Sequence, residues 1–315
     1  MKRYIKLYIE VYMITFIFSL FILTTAYAKQ SGTFIFKDVI FPGAVWTSAL
    51  DINANGKIVG YYVTADGRAH GFLLNGNTYT EVTIPEAENV WSGTISEQGK
   101  IVGMFTAGNG VNHGYMLDGK KLTVIDYPGA ISTAAWGINQ RGQIGGEYTD
   151  MNWSTHAYIL NNGNFTTIDP PDAIFAIAHT INACGQVVGF YTSDFSSFYG
   201  FLYDNGSFTK IEFPGAAYTF AYGINDNGQI VGQFSGNDFS MHGYLLEKGN
   251  FAQIDVPGSA CTCTSSINSR GQIVGVYFDS HRNAKGFIAE RVNTAPPALS
   301  SQSKVSTAWA NIKSR

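Results

Sequence analysis

The feature that most constrains this chain is a 43-residue repeat that runs six times without an insertion. Ile52, Ile95, Ile138, Ile181, Ile224 and Ile267 stand one period apart. The same step carries Pro42 to Pro85, Pro128, Pro171, Pro214 and Pro257, and Gly56 to Gly99, Gly142, Gly185, Gly228 and Gly271. A further glycine column runs through Gly60, Gly103, Gly146, Gly189, Gly232 and Gly275. A unit of this size cannot bury both its faces alone and must stack on its copies. A period in the forties built from short β segments is the mark of a propeller blade.

The fifth unit shows the anatomy. Residues 208–213 read as a strand that stops at Pro214-Gly215, and 218–224 as a second strand. Asn225-Asp226-Asn227-Gly228 makes a turn whose glycine is free to take the left-handed backbone. Residues 229–234 and 242–246 supply two more strands, so each period predicts one four-stranded blade. The frame then fixes the closure. The repeats begin with a strand before Pro42, and no equivalent of 208–213 follows the sixth unit. The expected fold is therefore all-β: a six-bladed β-propeller whose last blade is completed by the N-terminal strand. An open solenoid would leave two adhesive edges, and 43 residues is long for one coil of a β-helix. Glycine within the third strand costs roughly 0.5–1 kcal/mol against alanine. Close approach of a neighbouring blade's backbone is the expected compensation, onto a second strand with a small face (Thr219, Ala221, Gly223).

Composition agrees with strands and tight turns: charged residues make up only 14%, aromatics another 14%, and there are 35 glycines. Residues 1–28 read as an export signal. Lys2, Arg3 and Lys6 precede an apolar stretch too short to span a bilayer, and Ala26-Tyr27-Ala28 offers a cleavage site. Removing this segment takes three basic residues and Glu10 from totals of 20 and 23, leaving 17 against 22 and a net charge of −5. A mildly acidic surface does not recruit nucleic acid. The expectation is a monomeric, secreted, periplasmic or surface-located chain with no membrane span in its mature form. From residue 292 a Ser-, Ala- and Pro-rich tail follows, with Val305, Trp309 and Ile312 on one helical stripe. Cys184, Cys261 and Cys263 form no disulfide framework and match no zinc spacing. Cys261 and Cys263 share a strand face, which leaves a bridge between them open beside the reading of both as unpaired.

The phrases Gly223-Ile-Asn-Asp-Asn-Gly-Gln-Ile-Val-Gly232, His242-Gly-Tyr-Leu and Phe165-Thr-Thr-Ile-Asp resemble the bacterial extracellular repeats of the HAF family. The resemblance spans residues 33–291. It implies a secreted or surface location and a propeller-like fold, and it carries no catalytic residues. Ser96, Ala157 and Gly145 depart from the pattern.

A column of His70, His113, His156, Tyr199, His242 and Lys285 invites a metal reading. Radial symmetry points such positions apart, so a hydrogen bond from each imidazole to backbone within its own blade is expected. Asp51-Ile-Asn-Ala-Asn-Gly56 resembles the start of a calcium loop, but Tyr62 stands where the closing carboxylate belongs. No metal and no cofactor are expected. Function on a propeller belongs to loops at one rim. Two variable loop sets should share that rim: the Pro-Gly-Ala link and the polar loop before the His-Gly strand. Candidate ligand-binding residues at the channel mouth are Trp46, Asn89, Phe175 and Tyr218, and on the outer loops Trp153, Phe239 and Arg282. Aromatics beside polar groups suit a glycan or a cell-surface protein. Packing between blades is the competing role for Trp46, Phe175 and Tyr218. A lyase or hydrolase would need His179, Glu86, Glu88 and Asp172 to meet at the channel mouth. A purely structural envelope role is the third reading.

Overall fold

The computed structural model describes residues 34–236 and 240–291, and every regular element among them is a β-strand. The export signal expected over 1–28 and the tail over 292–315 lie outside the described residues, as does Phe239. The chain opens with β1 (Phe34–Val39). Blade 1 is β2 (Trp46–Ile52), β3 (Ile58–Val63), β4 (Ala69–Asn75) and β5 (Thr78–Val82). Blade 2 is β6 (Ala87–Ile95), β7 (Ile101–Ala107), β8 (Asn112–Asp118) and β9 (Lys121–Ile125). Blade 3 is β10 (Ser132–Ile138), β11 (Ile144–Thr149), β12 (Thr155–Asn161) and β13 (Asn164–Thr167). Blade 4 is β14 (Phe175–Ile181), β15 (Val187–Thr192), β16 (Tyr199–Asp204) and β17 (Ser207–Ile211). Blade 5 is β18 (Thr219–Ile224), β19 (Ile230–Ser235), β20 (Met241–Glu247) and β21 (Asn250–Ile254). Blade 6 is β22 (Cys261–Ile267), β23 (Ile273–Phe278) and β24 (Ala284–Arg291).

Each blade is an antiparallel meander with its first strand innermost. Blade 6 takes its fourth strand from β1, which pairs with β24 from Phe34↔Arg291 to Val39↔Gly286. The closure expected from the repeat frame is the closure observed. Large side chains from the third strands, such as Phe72, Tyr115, Tyr158, Phe201, Tyr244 and Phe287, are fully buried between blades. In alternate blades the aromatic before the proline stacks on an aromatic of the second strand. Phe41 lies 3.7 Å from Tyr62, Tyr127 3.6 Å from Tyr148, and Phe213 3.6 Å from Phe234, centroid to centroid.

The glycine column needs a different explanation from the expected one. A Cβ on Gly60, Gly146 or Gly232 would come within 1.9–2.1 Å of a main-chain oxygen, that of Ser48, Ala134 or Phe220. That oxygen belongs to the inner strand of the same blade, not to a neighbour. The cause is a bulge just beyond it, seen in the register shifts 49/51, 135/137 and 221/223, which the sequence pattern does not reveal. Close approach between blades falls instead on the glycine of the His-Gly pair. A Cβ on Gly114 would stand 3.2 Å from the Ala135 nitrogen, and one on Gly286 3.2 Å from the Ala49 nitrogen.

The inner turns hold the ring together. The Oδ1 atoms of Asn139, Asn182, Asn225 and Asn268 each accept the N–H groups two and four residues on, closing their own turns. Their Nδ2 atoms donate one blade onward. Asn139 reaches the Asn182 carbonyl at 2.9 Å, Asn182 that of Asn225 at 3.3 Å, and Asn225 that of Asn268 at 3.0 Å. Asn268 crosses the closure to the Asn53 carbonyl at 3.1 Å, and Asn53 reaches Ser96 at 3.1 Å. Ser96 lacks the carboxamide; at the junction of blades 2 and 3 the Thr94 hydroxyl donates to the Trp136 carbonyl, as the Thr180 hydroxyl does to the Tyr222 carbonyl between blades 4 and 5.

Asp51 and His179 are titratable groups on the inner strands whose burial shifts them in opposite directions. Asp51 is buried, accepts the Ile95 N–H at 2.8 Å and the Ser266 hydroxyl, and so joins blades 6, 1 and 2. Burial raises its carboxyl to about 6, opposed by those hydrogen bonds and helped by Glu97. His179 lies with its ring parallel to Trp136 and tilted against Tyr222, and its Nδ1–H donates to the Tyr222 carbonyl at 3.1 Å. Burial lowers it to about 4, so it is neutral at pH 7.

Two tests follow from this packing. Ser96→Asn supplies the missing carboxamide and should stabilise the fold by about 1 kcal/mol, read as a higher denaturation midpoint. The pH test exploits opposite signs. Asp51 adds stability below its unfolded value and loses it as pH rises through about 6. His179 adds stability above its unfolded value and loses it as pH falls toward about 4. Each term amounts to at most about 3 kcal/mol, and the two offset each other across the same window. Relative to wild type, Asp51→Asn should gain stability from pH 4 to pH 7, and His179→Phe should lose it. Unfolding curves that keep a constant offset from wild type at all pH values would refute both assignments.

Candidate functional site

Three parallel bridges fix which loops share a rim: Trp46↔Ala284, Thr155↔Phe175 and Phe198↔Tyr218. Each sets the start of one blade's third strand beside the start of the next blade's first. The link turn and the second-to-third-strand loop therefore meet at one end of the channel, as expected.

These loops are built by local hydrogen bonds. Asp150 Oδ1 accepts the N–H groups of Asn152 and Ser154, and Asp279 Oδ1 those of His281 and Asn283. Backbone donors hold Asp150 and Asp194 below the ordinary carboxylate range, led by Ser154 and Ser196 respectively. In the same register stands a residue with left-handed backbone. Blades 1 and 2 use glycine there, Gly67 (φ 81°) and Gly110 (φ 79°). Blades 3 and 6 use Trp153 and Arg282, both at φ 66°. In blade 4 the turn is formed differently: the Thr192 hydroxyl accepts the Phe195 N–H, and Phe195 takes φ 57°.

The candidate residues separate by depth. Trp153 is 49% exposed on the blade 3 loop, and Arg282 is exposed on the blade 6 loop. Phe175 is buried against Phe190, Phe195 and Phe198. Trp46 is half-buried edge-on to Phe278, and Tyr218 edge-on to Phe198. Asn89 Oδ1 accepts the Ala69 N–H at 3.0 Å and ties blade 2 to blade 1. Trp46, Tyr218 and Asn89 thus join blades, while the rings around Phe175 belong to its own blade 4. Sequence reasoning missed three exposed apolar side chains beside Trp153: Met151, Ile174 and Phe195. The Thr155↔Phe175 bridge sets Met151 and Trp153 next to Ile174, and Phe195 lies 6.3 Å from Phe175. Met151 and Trp153 thus lie on the blade 3 loop, Ile174 on the link into blade 4 and Phe195 on the blade 4 loop, all of them exposed on this rim.

The groups considered for catalysis do not share a place. His179 stands four residues along β14 from the rim, roughly 13 Å away at the usual strand rise. Glu86 and Asp172 lie on the link turns of blades 2 and 4, both with left-handed backbone. The histidine column is paired within blades, but to carboxylates rather than to backbone. His70 meets Glu81 at 3.1 Å, His113 meets Asp126 at 2.8 Å, His156 meets Asp169 at 2.6 Å and His242 meets Asp255 at 2.9 Å. Among the described residues no three His, Cys, Asp or Glu are grouped to hold a metal ion. None of these residues forms a helix long and apolar enough to cross a membrane. A cavity of about 270 Å³ opens at the other end of the channel among the inner turns, where Asp51, Thr94, Thr180 and Ser266 contribute to its lining. The asparagine carboxamides around it are committed to the ring.

No protein-family profile matches the chain, and no curated protein sequence matches it. Among solved structures it is similar to the fucose-specific lectin from Aleuria aurantia (14% identity, 84% of this chain and 100% of that one, TM-score 0.49). It is also similar to AofleA from Arthrobotrys oligospora (12% identity, 82% and 90%, TM-score 0.52). TolB from Acinetobacter baumannii is a third (12% identity, 75% and 64%, TM-score 0.54). At such identities the likeness to AofleA and TolB is one of fold, and the chain is a six-bladed β-propeller.

Proposed function

We propose that this chain is an exported, non-catalytic β-propeller that binds a glycan on the rim where blades 3 and 4 meet. The observation that carries the reading is the use of Trp153 and Phe195 at left-handed backbone positions. Such a conformation costs a non-glycine residue roughly 1–2 kcal/mol, and glycine takes the Trp153 position in blades 1 and 2. Both side chains remain about half exposed, so burial returns only part of that cost. Strain held at an exposed position points to use of the side chain. An indole offers a flat face for the C–H side of a sugar ring and an N–H for a hydroxyl. The Asp150 carboxylate on the same loop retains acceptor capacity for sugar hydroxyls. Arg282 lies three blades away, outside this site.

A protein partner would use the same rim residues through apolar contact alone, and a lyase or hydrolase would require acid and base groups that converge. Glycan-array binding followed by calorimetry on the best hit tests the proposal. Trp153→Ala and Phe195→Ala should each weaken binding tenfold or more, about 1.4 kcal/mol, with an unchanged melting midpoint. Wild-type affinity in both variants would overturn the site. Binding to peptides but to no sugar would overturn the ligand class.

A further inference from the structure

The axis holds a pair of thiols that the rim reading does not use. Cys261 and Cys263 lie on the same face of β22 with Sγ atoms 3.9 Å apart, and are 9% and 7% exposed. Both belong to the regular ladder, Cys261↔Phe278 and Cys263↔Val276, ahead of the bulge at 264/266. Residues i and i+2 of a strand stand about 6.6 Å apart, at Cβ as at Cα. A disulfide wants its Cβ atoms about 3.5–4.5 Å apart. The paired backbone therefore resists joining the sulfurs while leaning them toward each other.

That spacing suits an ion between them. Three donors set evenly around a metal at a thiolate bond length of about 2.3 Å stand about 4.0 Å apart. A third sulfur is at hand: Met241, at the start of β20 in blade 5, packs with Trp46 and Phe278 against the cluster that Cys261 and Cys263 form with Val276 and Ala284. Zinc prefers four nitrogen or charged donors in a tetrahedron, whereas thiolate with thioether selects a soft monovalent ion. We propose that Cys261, Cys263 and Met241 form a site for Cu(I) between blades 5 and 6. On binding, each thiol releases its proton to solvent, the thioether stays neutral and copper remains Cu(I), so no electron is transferred. Apolar walls from Val276 and Ala284 keep the ion from water.

The experiment uses the full chain with Cys184→Ser, because Cys184 is exposed and would compete for metal. Without oxygen, Cu(I) is titrated against a chromogenic Cu(I) chelator. One equivalent per chain should be withheld from the chelator. Cys263→Ser should abolish the retention, and Met241→Leu should weaken it tenfold or more while the melting midpoint without copper stays close to wild type. Copper should also raise the melting midpoint of the Cys184→Ser chain but not of the Cys261→Ser/Cys263→Ser chain. No withheld copper, or equal retention by the double serine variant, would overturn the proposal. So would a mass measurement before reduction showing Cys261 and Cys263 already joined. The rim site plays no part in this result.

Discussion

The ring depends on one carboxamide used twice. Each inner-turn asparagine closes its own turn with Oδ1 and reaches the next blade's carbonyl with Nδ2. Local turn geometry and blade-to-blade angle are thus set by the same planar group, and neither can drift without breaking the other. Each donor is buried, so leaving it unpaired would cost about 1–3 kcal/mol. The contact from Asn268 to Asn53 spans 215 residues yet has the geometry of contacts spanning 43. Closure of the ring is, in this respect, one more copy of the repeat, secured laterally by β1 on β24.

This commitment divides the two ends of the channel. At the turn end the amide groups are spent on holding the ring, and a substitution there alters stability before it alters recognition. At the rim the loops are closed by hydrogen bonds within themselves, such as those of Asp150 and Asp279, and side chains can change without loosening a blade. The rim is therefore where the repeats diverge, with Gly67 and Gly110 giving way to Trp153 and Arg282 at one backbone position. A bulky residue tolerated in a glycine conformation tells more about use than any exposed leucine could.

Much of the fold was legible because it is periodic. Columns spaced by 43 residues fix the blade, and the phase of the first strand against the last fixes the closure. What was not legible required knowledge of cross-strand register. The bulge after Ala49 leaves no mark in residue type, so from sequence the close approach to Gly60 reads as that of a neighbouring blade rather than of its own inner strand. The carboxylates that pair with His113 and His156 lie thirteen residues on, beyond a hairpin whose register had to be seen. At the candidate site the column rule itself failed by one residue. In blade 4 Thr192 caps the turn, so Phe195 rather than Ser196 takes the left-handed position. Loops lose alignment where frameworks keep it.

The axis explains why a symmetric framework can still host unique chemistry. Six copies of one side chain cannot fill a channel where six strands converge: six aromatics would overpack it, and six serines would leave a void. The column Ser48, Trp91, Ala134, Ile177, Phe220 and Cys263 mixes sizes for that reason. Blades 2 to 5 fill their side with Trp91, Trp136, Phe190 and Phe220, and blades 5, 6 and 1 bring together Met241, Cys261, Cys263 and Trp46. Packing at the axis thus forces departures from the repeat. Asp51, His179 and the cysteine pair are such departures, each alone of its kind at its position around the ring except where sulfur recurs along β22. Side chains that a repeat cannot copy are the ones free to acquire a role that a repeat cannot have.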